Sequence, residues 1–162
     1  ALLIGGGFVV RATAAKQLIG PVVYLLYAFA FGLLVGPLVM IAQVHHEGIV
    51  TSAALTTGVI FLSLTAYVFV SGKDFSFMGG ALAIIGGLVL ATLLVGWLIG
   101  FTFGVWMTIL IAMLYSAYIL YDTSQILHHY PTNMHIAAAA NLFANVVLLF
   151  YHVLLIFMSR DD

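Results

Sequence analysis

Residues 118–152 read YILYDTSQILHHYPTNMHIAAAANLFANVVLLFYH. Asp122 is the only carboxylate in this stretch, and long apolar sequence precedes it. After a short turn, a second apolar helix is expected to carry Asn141, Asn145 and His152. At about 100° per residue, these three side chains fall within about 40° of one another, on one helix face. The stretch therefore predicts an acidic helix end and a polar helix stripe that are joined by a tight turn.

The composition is typical of a membrane protein. Of the 162 residues, 65% are apolar and 6% are charged, and the mean hydropathy is +1.26. A soluble domain has roughly 25% charged residues. The formal net charge is −1, so no nucleic-acid partner is expected. Because the chain has no cysteine, disulfides, thiol catalysis and cysteine-based metal sites are excluded.

Hydrophobic stretches predict five full membrane spans, since about 20 apolar residues are needed to cross a bilayer. The spans are predicted at about residues 19–44, 49–70, 77–99, 101–127 and 134–158. Residues 1–10 are also apolar and show no signal peptide, so we read them as the tail of a partial span whose start is missing. Residues 1–162 are expected to form a single domain, an all-α polytopic transmembrane helix bundle.

The charges in the loops predict an orientation. Three of the four Lys and Arg residues lie in loops on one side of the predicted bundle, namely Arg11, Lys16 and Lys73. The fourth, Arg160, lies on the other side. The positive-inside rule places the first side in the cytoplasm. The C-terminus is then expected in the periplasm or a lumen.

Small residues predict close packing between helices. Gly32-x3-Gly36 matches the small-residue spacing of packed membrane helices, and we expect contact within the monomer rather than a dimer interface. The glycine pairs at residues 79–80 and 86–87 on the third span are also expected to allow close approach.

Asp122 is the first candidate for function, since an ionisable group in a membrane span is costly and usually faces the bundle interior or a water-filled path. Its helix is expected to end near residue 128, which puts Asp122 about 9 Å inside that end. A structural role at the helix end is the alternative. Asn141 and Asn145 are candidates on the polar stripe, with interhelical hydrogen bonding as their alternative role. Arg11, on the same side, can pair with Asp122 and hold it charged.

The remaining polar residues form no catalytic or metal-binding pattern that we recognise. His45-His46-Glu47 and His128-His129 supply metal-ligand types, but adjacent residues do not share a helix face and the two groups lie on opposite membrane sides. The sequence has no Ser–His–acid trio in a suitable pattern, no Gly-x-Ser-x-Gly motif and no phosphate-binding loop. We therefore expect no enzyme activity, no metal site and no cofactor.

Three segments occur in order along the chain. They are YAFAF at residues 27–31 followed by Gly32 and Pro37, KDFSF at residues 73–77, and YILYD at residues 118–122 followed by Gln125 and Ile126. Together they resemble the Bax inhibitor family, also called transmembrane Bax inhibitor motif proteins. The resemblance covers essentially the whole chain.

This resemblance implies a seven-helix bundle in which the last helix is central and the other six surround it. Residues 1–10 then correspond to the end of the second helix, so the first helix and most of the second are absent from this sequence. The resemblance also implies an integral membrane protein, which we expect in a bacterial inner membrane. Members of the family act as pH-sensitive calcium leak channels, and eukaryotic members are associated with the suppression of cell death.

The closed pore in bacterial members depends on two aspartates, and the resemblance maps them to two positions here. Asp122 matches the first, but Asn145 stands where the second is expected. By helix rise alone, Asn141 lies nearer than Asn145 to the level of Asp122. Two close carboxylates can share a proton and switch near neutral pH, whereas a carboxylate and an amide cannot. We therefore expect any ion flux to respond only weakly to pH, and a weak calcium site at best.

Two functions of different classes stay open. The first is a calcium or other cation leak with weakened pH gating, carried by Asp122, Asn141, Asn145 and Arg11. The second is a non-conducting accessory or structural subunit of a larger membrane protein complex. A modulator of membrane proteolysis is a third option, suggested only by analogy with other bacterial members. Membrane lipid is a partner in every case.

Overall fold

The computed structural model describes residues 19–45, 47–131 and 134–161, and these form five α-helices. In chain order they are α1 Ile19–His45, α2 Ile49–Ser71, α3 Met78–Ile99, α4 Val105–His128 and α5 His135–Asp161. All five are long and apolar enough to cross a membrane. The predicted all-α bundle is therefore confirmed, and each full span overlaps one helix. The partial span at residues 1–10 lies outside the described residues, so the seven-helix count stays a prediction.

Glycines in the left-handed conformation end two of the helices. Gly72, with φ of 58°, follows α2, and its N–H donates to the carbonyl of Val68 at 3.0 Å. Gly100, with φ of 70°, follows α3, and the next N–H, from Phe101, donates to the carbonyl of Gly96 at 2.8 Å. A side chain is disfavoured in this backbone region, so glycine allows the chain to leave the helix while its last carbonyls remain hydrogen-bonded.

The last helix, α5, lies at the centre of the described bundle. It packs against α1, α2 and α4. Between Ile136 and Met158, the only exposed residue is Ala139. The buried core joins α5 to its neighbours mainly through small and branched side chains, which are Ala42, Ile49, Ala53, Ala112, Ile119, Leu149, Val153 and Leu154. Alanine at such contacts lets helix backbones approach closely.

Helix α3 lies at the edge of the described bundle and packs on α4. A Cβ atom added at Gly86 would lie 2.8 Å from Oη of Tyr118, and one added at Gly79 would lie 2.9 Å from Oη of Tyr121. The Tyr118 hydroxyl donates to the backbone carbonyl of Leu82 at 2.9 Å. Close approach is therefore confirmed at Gly79 and Gly86, where a tyrosine of α4 lies directly against the backbone of α3.

The other predicted packing motif, Gly32-x3-Gly36 on α1, makes no close contact in the described structure. Among the described residues, nothing lies within 4 Å of a Cβ atom added at Gly32 or Gly36. The prediction that this pair makes a close helix contact is therefore wrong for the described part of the chain. Gly32 is exposed, so the small-residue spacing on α1 lies outside the packed interfaces with α2 and α5.

Candidate functional site

The C-terminal part of α4 carries three consecutive buried polar residues, Asp122, Thr123 and Ser124. Asp122 is 9% exposed and Ser124 is fully buried. The Thr123 hydroxyl donates to the carbonyl of Ile119, one turn earlier, at 2.8 Å. Threonine thus satisfies its hydroxyl within its own helix. Asp122 and Ser124, in contrast, make contacts to other segments of the chain.

Asp122 is bridged to the central helix. The side-chain amide nitrogen of Asn145, on α5, donates to Oδ2 of Asp122 at 2.6 Å. A hydrogen bond to a carboxylate is shorter and stronger than one between neutral groups, and a buried position strengthens it further. The structure therefore brings together two of the sequence-predicted site residues, in a contact that joins α4 to α5.

Asn141 lies on the same stripe but has a different partner. Its amide nitrogen donates to Oη of Tyr130 at 3.0 Å. Tyr130 follows the end of α4, so this hydrogen bond ties the α4–α5 connection to α5. The expectation from helix rise, which placed Asn141 nearer to the level of Asp122, is wrong. The partner of Asp122 is Asn145, which lies one helical turn after Asn141.

His152 is the third residue of the stripe, and it bonds to its own helix. Its Nδ1 lies 2.7 Å from the carbonyl oxygen of Leu148, a geometry in which the imidazole N–H donates. Its ring centroid is 5.4 Å from that of Tyr115 on α4. His152 therefore packs at the α4–α5 interface as a locally satisfied side chain. Arg11 lies outside the described residues, so its pairing with Asp122 stays a prediction.

A loop that the sequence did not connect to the site reaches the end of α4. Residues 72–77 join α2 to α3, and the backbone N–H of Phe75 donates to Oγ of Ser124 at 2.8 Å. The Ser124 hydroxyl in turn lies 3.5 Å from Oδ1 of Asp74, at the outer limit for a hydrogen bond. Ser124 is two residues from Asp122, so this loop is anchored directly beside the buried carboxylate.

Asp74 makes a second contact with the end of α4. Its Oδ2 lies 2.8 Å from Nε2 of His129, and its Oδ1 accepts the backbone N–H of Ser76 at 2.9 Å. The Ser76 N–H, followed by the side-chain hydrogen bond from His129, lowers the pKa of Asp74 to about 2. The Asp-x-Ser spacing is a signal for such a local turn. The pairing with His129, 55 residues away, has no local signal.

A bound metal ion needs several ligand side chains that converge on one point. Within the described part of the chain, no group of three or more His, Asp or Glu side chains is arranged to hold a metal ion. Calcium prefers six to eight oxygen ligands. In the described contact, Asn145 turns its amide nitrogen, which is not a calcium ligand, towards Asp122. The pair therefore provides carboxylate oxygens from one residue and not a preformed calcium site.

Comparison with known proteins decides the family. The family model described as "Inhibitor of apoptosis-promoting Bax1" matches residues 1–162. The chain belongs to the Bax inhibitor family. The resemblance noted in the sequence is thereby confirmed over the whole chain.

Relatives within the Bax inhibitor family come from bacteria and eukaryotes. The chain is 33% identical to an uncharacterized membrane protein of Vibrio cholerae, over 98% of this chain and 73% of that protein. It is 33% identical to Protein lifeguard 4 of Mus musculus, over 81% of this chain and 55% of the relative. It is 31% identical to the Modulator of FtsH protease YccA of Escherichia coli K12, over 83% of this chain and 64% of the relative. No solved structure matches the chain.

Coverage differs between these relatives. The chain spans only 55% of the length of the mouse protein and 64% of the length of the Escherichia coli protein.

As a member of the Bax inhibitor family, the chain has an amide, Asn145, at the position where the resemblance leads us to expect a second carboxylate. The described structure shows that this amide, Asn145, still reaches the first carboxylate, Asp122.

Proposed function

We propose that the chain allows a slow leak of cations, calcium first among them, along the interface between α4 and α5. One observation carries this proposal, which is the buried carboxylate of Asp122 held by Asn145 of the central helix at 2.6 Å. An ionisable group inside a membrane span tends to mark an ion or proton path. The proposed location is a bacterial inner membrane, with the C-terminus in the periplasm and an arrangement like that of seven-helix members.

In this proposal, the Asp122–Asn145 hydrogen bond belongs to the closed state. A passing cation competes with the Asn145 amide for the carboxylate, so α4 and α5 separate at this level only while the cation is present. Such a site binds weakly, and weak binding permits conduction because the ion must also leave. Arg11 is proposed as a second partner that holds Asp122 charged. Asn141, bonded to Tyr130, would stabilise the end of α5 rather than contact the ion.

The pairing of Asp122 with an amide, Asn145, also affects gating by pH. Two carboxylates at hydrogen-bonding distance share a proton, and the pair then titrates in coupled steps. Asn145 replaces one of them with a group that does not titrate. We propose that the leak therefore responds only weakly to pH at the Asp122 site.

A second function is favoured by a different observation. The Escherichia coli relative is named as a modulator of a membrane protease, and it shares 31% identity with this chain. The edge helix α3 exposes large apolar side chains along its length, including Ile84, Leu88 and Leu98. The alternative proposal is a non-conducting accessory subunit of a larger membrane protein complex, such as one that contains a protease. In both proposals the chain itself is not an enzyme.

The test is calcium flux into liposomes that contain the purified chain and an enclosed calcium dye. The leak predicts a flux above that of empty liposomes, and a change in this flux when Asn145 is replaced by Ala. Asn141→Ala is the matched control, since it removes an amide from the same helix face one turn away. Absence of flux for the native chain and both variants would refute the leak. Co-purification with a membrane-anchored protease in mild detergent would then favour the accessory role.

A further inference from the structure

A cavity of about 410 Å³ lies where the connection between α1 and α2 meets the last turn of α5. Its size falls within the range of small-ligand sites, roughly 300–1,000 Å³. Because it lies at the ends of three helices that are long enough to cross a membrane, it is near the level of the lipid headgroups. The residues that line it are Glu47, Gly48, Ile49, Ser52, Phe157 and Arg160.

Two side chains of opposite charge line this cavity. Glu47 lies in the connection before α2, Arg160 lies in the last turn of α5, and both are exposed. Among the residues whose side chains the structure describes, neither one forms a side-chain hydrogen bond or an ion pair. The carboxylate and the guanidinium can therefore both take a partner from outside the protein. Arginine binds phosphate particularly well, because its planar fork of N–H donors matches two phosphate oxygens.

Ser52 adds an acceptor oxygen to the same cavity. Its hydroxyl donates to the carbonyl of Gly48, four residues earlier, at 3.1 Å. Because this donor is used within the chain, the lone pairs of the oxygen remain for a donor from a ligand. An ionised carboxylate such as that of Glu47 also only accepts hydrogen bonds. The two side chains together favour a group rich in N–H donors, and a primary ammonium has three.

The charges in the segments around the cavity disfavour a purely anionic ligand. Residues 45–48 and 160–162 contain one basic residue, Arg160, and three acids, Glu47, Asp161 and Asp162. One positive and three negative charges give these segments a formal net charge of −2 with histidine neutral. A zwitterion suits them better, since its ammonium is attracted by the acids while its phosphate is attracted by the arginine.

We propose that this cavity binds the headgroup of phosphatidylethanolamine, a zwitterionic membrane lipid. Arg160 binds the phosphate, and Glu47 with Ser52 binds the primary ammonium. Ile49 and Phe157 supply an apolar wall for the adjoining glycerol and acyl carbons. The bound lipid links the α1–α2 connection to the end of the central helix, whether or not the chain conducts ions. A soluble phosphoethanolamine ester presents the same groups, but the position of the cavity at the ends of membrane-spanning helices favours the lipid.

Native mass spectrometry of the purified, delipidated chain in detergent tests the headgroup preference. Phosphatidylethanolamine and phosphatidylglycerol with identical acyl chains are supplied in equal amounts, so that any difference reports the headgroup. The native chain should bind phosphatidylethanolamine in about two- to fivefold excess, the range that interactions between exposed charges give. Phosphatidylcholine has no N–H donor on its nitrogen, so it should show no such excess over phosphatidylglycerol.

Three variants assign the preference to residues. Glu47→Gln should remove the excess while both lipids still bind, because the phosphate contact is kept. Arg160→Gln should weaken the binding of both lipids by about two- to fivefold. Lys73→Gln is the matched control, since it removes an exposed charge at the opposite end of the bundle and should keep the native ratio. All three changes are at exposed positions, so the helical circular-dichroism signal should be unchanged.

Two results would overturn the headgroup site, namely equal binding of the two lipids by the native chain, or an excess that survives in Glu47→Gln. Glycerophosphoethanolamine, the headgroup without acyl chains, distinguishes a lipid from a soluble ligand. Displacement of the lipid by an equal concentration of this compound would show that the site serves a soluble zwitterion and that the lipid assignment is wrong. Displacement only at large excess would support the lipid. Calcium flux tests the proposed leak separately, so either proposal can fail while the other stands.

Discussion

The amide of Asn145 donates to the carboxylate of Asp122 at 2.6 Å, and this contact spans the interface between the central helix and α4. Asp122 is 9% exposed, so the contact lies away from solvent. The candidate site is built around this hydrogen bond. A single substitution at Asn145 is enough to remove or alter it.

The first prediction concerns stability. Asn145→Ala removes a donor to a buried carboxylate, which should lower the free energy of unfolding by about 1–3 kcal/mol. Thermal unfolding in mild detergent, followed by circular dichroism, measures the change. Asn141→Ala should cost less, because its partner Tyr130 is only half-buried. Equal losses in the two variants would argue against a special role for the Asp122 contact.

The second prediction concerns gating by pH. Asn145→Asp places a second carboxylate within hydrogen-bonding distance of Asp122, so the pair should share a proton and titrate in coupled steps. Calcium flux in liposomes should then depend steeply on pH between about 6 and 8, whereas the native chain should respond weakly. A His128/His129 double replacement is the control for effects outside the Asp122 site. Steep native dependence that survives this replacement would contradict the prediction.

The third prediction concerns the contact between α3 and α4. Gly86→Ala places a Cβ 2.8 Å from the Tyr118 hydroxyl, which is held by its bond to Leu82, whereas Gly87→Ala meets no atom within 4 Å among the described residues. Both gain the helix propensity of alanine. Gly86→Ala should therefore be less stable than Gly87→Ala by about 1–3 kcal/mol, the cost of overpacking. The difference between their unfolding free energies in detergent is the measurement, and a difference near zero would refute the close contact.

The fourth prediction concerns Asp74 in acid. Its pKa is lowered from 3.8 to about 2, chiefly by the Ser76 N–H and next by His129. Its contribution to stability is therefore complete above pH 3.8 and is lost as the pH falls through about 2. A carbon-13 titration of the Asp74 carboxyl should show the low value, and His129→Gln should raise it only in part. A full return to 3.8 in His129→Gln would contradict the leading role of the Ser76 N–H.

The fifth prediction concerns orientation in the membrane. A single cysteine at Lys73 should react with an impermeant maleimide only from the cytoplasmic side, and one at Glu47 only from the opposite side. The reason is the excess of Lys and Arg in the loops on the Lys73 side. Labelling of intact spheroplasts and of inverted vesicles distinguishes the two sides. Reaction of both cysteines from one side would contradict the predicted topology.

Much of the fold was predictable because a membrane restricts the choices. Backbone groups in lipid must be bonded within the segment, so an apolar run of about 20 residues forms a helix. The five helices, from Ile19–His45 to His135–Asp161, follow from this rule. The polar stripe with Asn145 on the last helix also follows from helix periodicity alone. The sequence thereby determined the class of protein, the helices and the candidate carboxylate Asp122.

Tertiary structure decided which of these groups meet. Helix rise predicts Asn141 near the level of Asp122, but in the assembled bundle Asn145 is the residue that contacts Asp122. The small-residue pair at Gly32 and Gly36 makes no close contact among the described residues, whereas Gly86 does. Periodicity reports which face of one helix is polar or small, but not the offset or the neighbour of that face. The docking of Asp74 on His129 is the clearest case, because a contact across 55 residues depends on how the helices assemble and has no local signal in the sequence.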